Sequence, residues 1–103
     1  MAEEFVVVAK ADQIKEAEIF ATVVDDTPVA LTRVDGVICA FGDICTHNDG
    51  PLAEGEIASG CVVCPRHGAR FDLKTGKPTF PAVTPIPIYE TKIDGEDVRI
   101  KLS

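Results

Sequence analysis

The chain has 103 residues, 46% of them hydrophobic, and a formal net charge of −7. That length fits one domain, 1–103, with enough apolar content for a core, and a chain this short gains from a metal staple. The acidic balance argues against nucleic acid or an anionic membrane as a partner. Lacking an apolar run of about 18 residues and a basic leader, it is expected to be cytoplasmic, so its four cysteines read as metal-binding or catalytic before disulfide-bonded.

Short β-branched runs separated by turn chemistry dominate the chain. FVVVA (5–9) reads as a strand, and ADQIKEAE (11–18) as a helical turn or loop at the edge. IFATVV (19–24), ending at Asp25-Asp26, and PVALTRV (28–34) read as strands. Asp35-Gly36 turns the chain into VICAFG (37–42), and a second Asp-Gly, at 94–95, joins IPIYETKI to EDVRIKL. Two such hairpins and no long helical pattern predict an all-β fold, an antiparallel sandwich or barrel.

Two stretches break this pattern. Residues 43–55 are polar and turn-rich, and residues 76–87 carry prolines at 78, 81, 85 and 87, which cannot occupy a central strand. Long irregular segments in a compact domain usually carry function. Charge is uneven as well: residues 66–77 hold Arg66, Arg70, Lys74 and Lys77 against Asp72 alone. This basic island could face an acidic partner, although an ordinary solvated hairpin is the simpler reading.

The chemistry lies in CTH (45–47) and CPRHG (64–68). Both histidines of the chain belong to these pairs, and sixteen residues separate His47 from Cys64. Two thiolates and two imidazoles suit tetrahedral zinc or an iron–sulfur cluster. Cys61-x-x-Cys64 imitates half a zinc site. In a strand, however, Cys61 shares its face with Val63, which predicts a buried, inert residue; Cys39 in VICAF reads the same way, with a Cys39–Cys61 bridge as the lesser alternative. Asp43, Asp49 and Asp72 flank the motifs and read as exposed turn carboxylates. Nucleophile–base pairs and phosphate loops are absent from the sequence, so no catalytic residue is assigned.

A pairing in which each loop supplies one cysteine and one histidine suits two irons with different ligands. On these two motifs the chain resembles the Rieske ferredoxin family, in which two histidines replace two cysteines on one iron. The proline-rich FPAVTP (80–85) also looks like that family's third, cluster-covering loop. The resemblance implies a Rieske-type β fold with a cluster-binding subdomain at about 43–85. It implies one [2Fe–2S] cluster per chain, held by Cys45, His47, Cys64 and His67. The implied function is one-electron transfer by a soluble monomer from a flavoprotein ferredoxin reductase to a terminal oxygenase, both bound transiently. A small nitrite reductase subunit and a zinc-binding structural module are the alternatives.

The resemblance also bears on potential. High-potential members carry an extra cysteine in each motif, at positions that here hold Gly50 and Arg66, and two hydroxyl donors where this chain has Ala69 and Phe71. Without those donors the potential is expected near the low end of the Rieske range, about −150 mV.

Overall fold

The computed structural model describes residues 5–44, 52–65, 68–79 and 82–101. Six strands form one antiparallel sheet: β1 (Val6–Lys10), β2 (Phe20–Val24), β3 (Thr27–Val34), β4 (Val37–Gly42), β8 (Ile88–Asp94) and β9 (Asp97–Lys101). Their order is β1-β9-β8-β4-β3-β2. A second antiparallel sheet contains β5 (Glu56–Ala58), β6 (Cys61–Val63) and β7 (Arg70–Asp72), in that order. Two 3-10 turns, Ala11–Gln13 and Leu52–Glu54, complete the described elements.

The β-branched runs become strands because their side chains find a surface on both faces. In β3, Val29 and Leu31 enter one core with Ile38, Ala40, Val98 and Ile100, while Ala30 points the other way. In β4, Ile38 and Ala40 join the first core and Phe41 the second. Strands buried on both faces read as continuous apolar runs, which is the character of VALT and CAF. The second core lies between the two sheets, where Ala30 and Phe41 meet Leu52, Val62, Cys64, Ala69, Phe71 and Leu73.

Tight turns fix the registers. Asp25-Asp26, Asp35-Gly36 and Ser59-Gly60 are each the two central residues of a hairpin, and all six have positive φ. That is the type I′ geometry whose twist suits antiparallel strands, and aspartate tolerates it better than most side chains. The Glu16 carboxylate accepts the amides of Asp35 and Gly36 at 2.7 and 3.1 Å, securing one of these turns. Arg33 donates from Nε and Nη2 to the carbonyls of Ile14 and Ala11, both at 2.8 Å, and so fixes the 11–17 segment.

The all-β expectation holds, with local corrections. Asp94 pairs with Asp97, so the last hairpin turns on Gly95-Glu96 rather than Asp94-Gly95. Strand β8 begins at Ile88, not Ile86: the Pro87 carbonyl is taken by the Gly42 amide at 3.0 Å, outside the ladder. The short strands β5 and β7 were not legible, since three residues are too few to show a period.

Candidate metal centre

Cys64 follows β6 directly. Side chains alternate along a strand, so Val62 and Cys64 point to the same side, into the core between the sheets, with Cys64 2% exposed. Cys61 and Val63 point to the opposite, half-exposed side. Cys61 and Cys64 therefore do not form a chelating pair, despite their spacing. The expectation that Cys61 is buried is corrected: Val62 holds the core position and Cys61 stands opposite Ala58 and Asp72 on the outer face. Cys39 is also half-buried, at the margin of the same core, and burial pushes its thiol pKa up. Both Cys39 and Cys61 are free thiols, so the alternative bridge does not form.

The loop after Cys64 is closed by main-chain bonds. The Cys64 amide donates to the Ala69 carbonyl at 2.7 Å, and the Gly68 amide donates to the Cys64 carbonyl at 3.1 Å. Gly68 has φ +74, which lets the chain reverse there. Arg66 and His67 belong to this loop and lie outside the described residues, as do Cys45, His47 and Asp49 of the first loop. Among the described residues, no group of three or more histidine, cysteine or acidic side chains stands together.

The ends of all three irregular segments nevertheless meet around Cys64. Leu52, which follows the first loop, is fully buried in its core; Ala69 closes the second; Ala82 and Ile86 of the proline-rich loop complete the packing. That third loop is tied along β7: the Thr79 amide donates to the Arg70 carbonyl at 2.8 Å, and the Arg70 amide donates to Thr79 Oγ1 at 2.9 Å. The Ala82 amide then donates to the Thr79 carbonyl at 3.0 Å. Pro78, Pro85 and Pro87 all fall outside the strands, as expected of them.

Two flanking acids behave differently. Asp72 is the turn carboxylate expected, accepting the amides of Lys74 and Thr75 at 2.7 and 3.2 Å. Asp43 is not an exposed turn residue: it is 9% exposed and accepts the Ala53 amide at 2.7 Å. Burial pushes its carboxyl pKa up, while the Ala53 and Leu52 amides pull back against that shift. Sequence reasoning missed it because an aspartate between a strand and a polar loop looks the same buried or solvated.

The donor set of two cysteines and two histidines, with a buried thiol backed by Leu52, Phe71 and small alanines, fits an iron–sulfur cluster of mixed ligation. Residues 4–90 match the Rieske [2Fe–2S] domain, and the chain belongs to that family. One [2Fe–2S] cluster per chain is the cofactor of this domain.

Within the family, the chain is similar to ferredoxins, which are electron carriers rather than enzymes. It is 36% identical over 92 residues to the anthranilate 1,2-dioxygenase ferredoxin subunit of Burkholderia cepacia, covering 88% of this chain and 85% of that one. It is 33% identical over 104 residues, spanning both chains in full, to the ferredoxin component of the naphthalene 1,2-dioxygenase system of Pseudomonas aeruginosa. Among solved structures, the ferredoxin of carbazole 1,9a-dioxygenase from Nocardioides aromaticivorans IC177 superposes with a TM-score of 0.88 at 33% identity, over 93% of this chain and 95% of that one. A chain from the solved complex of reduced oxygenase and oxidised ferredoxin in carbazole 1,9a-dioxygenase superposes at 0.87 with 27% identity, over 97% and 94% of the two chains. A protein of Mycobacterium tuberculosis assigned as the small subunit of an NADH-dependent nitrite reductase reaches 0.88, over 100% of this chain and 98% of that one. Its identity is 17%, so this likeness shows the fold alone.

Proposed function

We propose that Cys45, His47, Cys64 and His67 hold the cluster, and that the chain passes single electrons from a flavoprotein reductase to a terminal oxygenase. The observation that carries the ligand reading is the placement of Cys64, turned into a core on which the ends of all three irregular segments converge. Similarity over the full length of dioxygenase ferredoxins supports the oxygenase as acceptor; the reductase follows from the need for a donor. We read residues 1–103 as one domain with a cluster-binding subdomain at about 43–85, acting as a cytoplasmic monomer. The core shared between the two sheets supports the single-domain reading.

When bound, the cluster takes up and releases one electron. The chain's part is to hold the ligands in place and keep water from the thiolates. Leu52, Phe71, Ala82 and Ile86 do the latter around Cys64, all of them buried. Two imidazoles in place of two thiolates remove two negative charges from the ligand set, which raises the potential relative to an all-cysteine site. Ala69 and Phe71, both fully buried beside Cys64, offer no hydroxyl to sulfur, and this supports a value near the low end of the Rieske range. Beyond Ala82, Val83 is 82% exposed, an apolar side chain suited to a brief contact with a partner.

Visible absorption, iron content and electron paramagnetic resonance of single variants test the assignment. Cys45→Ser, His47→Ala, Cys64→Ser and His67→Ala are expected to lose or strongly alter the spectrum. Cys39→Ala and Cys61→Ala are expected to keep it, with a reduced-state mean g below that of all-cysteine clusters. Retention in Cys64→Ser with loss in Cys61→Ala is the result that overturns the ligand set.

A further inference from the structure

Asp43 stands at the last turn before the first ligand loop, and its two ends are tied to different parts of the fold. Its amide donates to the Pro28 carbonyl of β3 at 3.2 Å, and the preceding Gly42 amide donates to the Pro87 carbonyl at 3.0 Å. Its side chain crosses to the far end of the loop, where Oδ1 accepts the Ala53 amide at 2.7 Å. Ala53 lies in the 3-10 turn Leu52–Glu54, whose Leu52 packs in the same core as Cys64.

Residues 44–51, which carry Cys45 and His47, are therefore bracketed by the reach of the Asp43 carboxylate to Ala53. Burying a carboxylate is costly, and the Ala53 amide recovers part of that cost only while the loop is closed. Joining the ends of a loop also removes conformations that its ligands would otherwise sample.

We propose that the Asp43 carboxylate is a positioning residue for the cluster, a clip that holds residues 43 and 53 together so that Cys45 and His47 meet Cys64 and His67. This rests on the ligand set proposed above. It is separable from a general contribution to stability: the Asp43 carboxylate is tied to Ala53, next to Leu52 of the core that holds Cys64, whereas Val29, Leu31, Val98 and Ile100 form the other core.

The test compares Asp43→Ala, Asp43→Ser and Asp43→Asn with wild type and with Val98→Ala, a fully buried position of that other core. All are prepared with cluster, and its loss to a chelator is followed by visible absorbance. Asparagine keeps a carbonyl oxygen for the Ala53 amide, so D43N is expected to lose the cluster within about 3-fold of the wild-type rate and to keep the wild-type resonance signature. D43A is expected to lose it roughly 10-fold faster, with broadened g values, because a hydrogen bond to a charged group is gone. D43S, whose hydroxyl falls short of Ala53, follows D43A and decides the matter if D43A does not fold. V98A is expected to unfold at lower temperature while its cluster stays as long-lived as wild type's. Equal lifetimes in D43S and D43N, or a V98A cluster as labile as that of D43S, overturn the proposal. A wild-type protein that binds no [2Fe–2S] cluster overturns the ligand set instead.

Discussion

Replacing Gly76 with alanine probes how the proline-rich loop is held. Gly76 has φ +81, and a Cβ there would stand 2.3 Å from the Ile86 carbonyl oxygen. Ordinary contact begins at 3.4 Å, so residue 86 must retreat by about 1 Å. The Ile86 amide donates to the Gly76 carbonyl at 3.1 Å, and that retreat breaks the bond. The left-handed backbone costs about 1 kcal/mol or somewhat more in alanine. The lost hydrogen bond adds about 1 kcal/mol, and local overpacking roughly 1–3 kcal/mol. A total of about 3–5 kcal/mol lowers the Tm of a domain this size by at least roughly 12 °C. Gly95 is the matched control: φ is +64 and nothing lies within 4 Å of its Cβ position, so Gly95→Ala carries the backbone cost alone, about 4–8 °C. Because unfolding releases the cofactor, both variants are compared as apparent midpoints at one scan rate. If Gly76→Ala loses no more than Gly95→Ala, the third loop is not clamped at Gly76 and the packing argument fails.

The double variant Ala69→Ser, Phe71→Tyr restores hydroxyls in the core beside Cys64 and is expected to raise the reduction potential in protein-film voltammetry; an unchanged potential in a folded variant means neither hydroxyl reaches sulfur. Burial raises the Cys39 thiol pKa above its ordinary 9.0, so folding favours the protonated thiol. Its contribution to stability is full below that ordinary value and is lost as pH rises through the higher folded one, and Cys39→Ala removes that alkaline loss in unfolding experiments.

The sequence was most legible where one local rule decided the outcome. Asp35-Gly36 could only be a tight turn, four prolines could not enter a central strand, and two mixed cysteine–histidine pairs carried their own chemistry. Burial was harder to read, because it depends on what packs against a strand. Alternation placed Cys61 and Val63 on one face and Val62 on the other, but it could not say which face meets a second sheet. The sheet itself decides: Val62 lies opposite Ile57 and Phe71, and all three side chains turn toward Phe41 and Ala30. The same ignorance hid Asp43, whose partner Ala53 is ten residues away across a loop. Ser59-Gly60 was readable as a turn in principle, yet strands of three residues on either side gave it no context.

An electron carrier works with least cost when its ligands move little between oxidation states, and irregular loops are poor at staying still. Among the described residues, each loop is anchored at its ends. Pro28 and Pro87 carbonyls receive the amides of Asp43 and Gly42, Asp43 reaches Ala53, Cys64 closes on Ala69, and Thr79 is bound twice to Arg70. The anchors in turn rest on β3 and β4, whose opposite faces are packed into the other core. This arrangement fixes the points from which the loops project. Change at Gly42, Asp43, Ala69 or Gly76 then disturbs the frame from which the loops project.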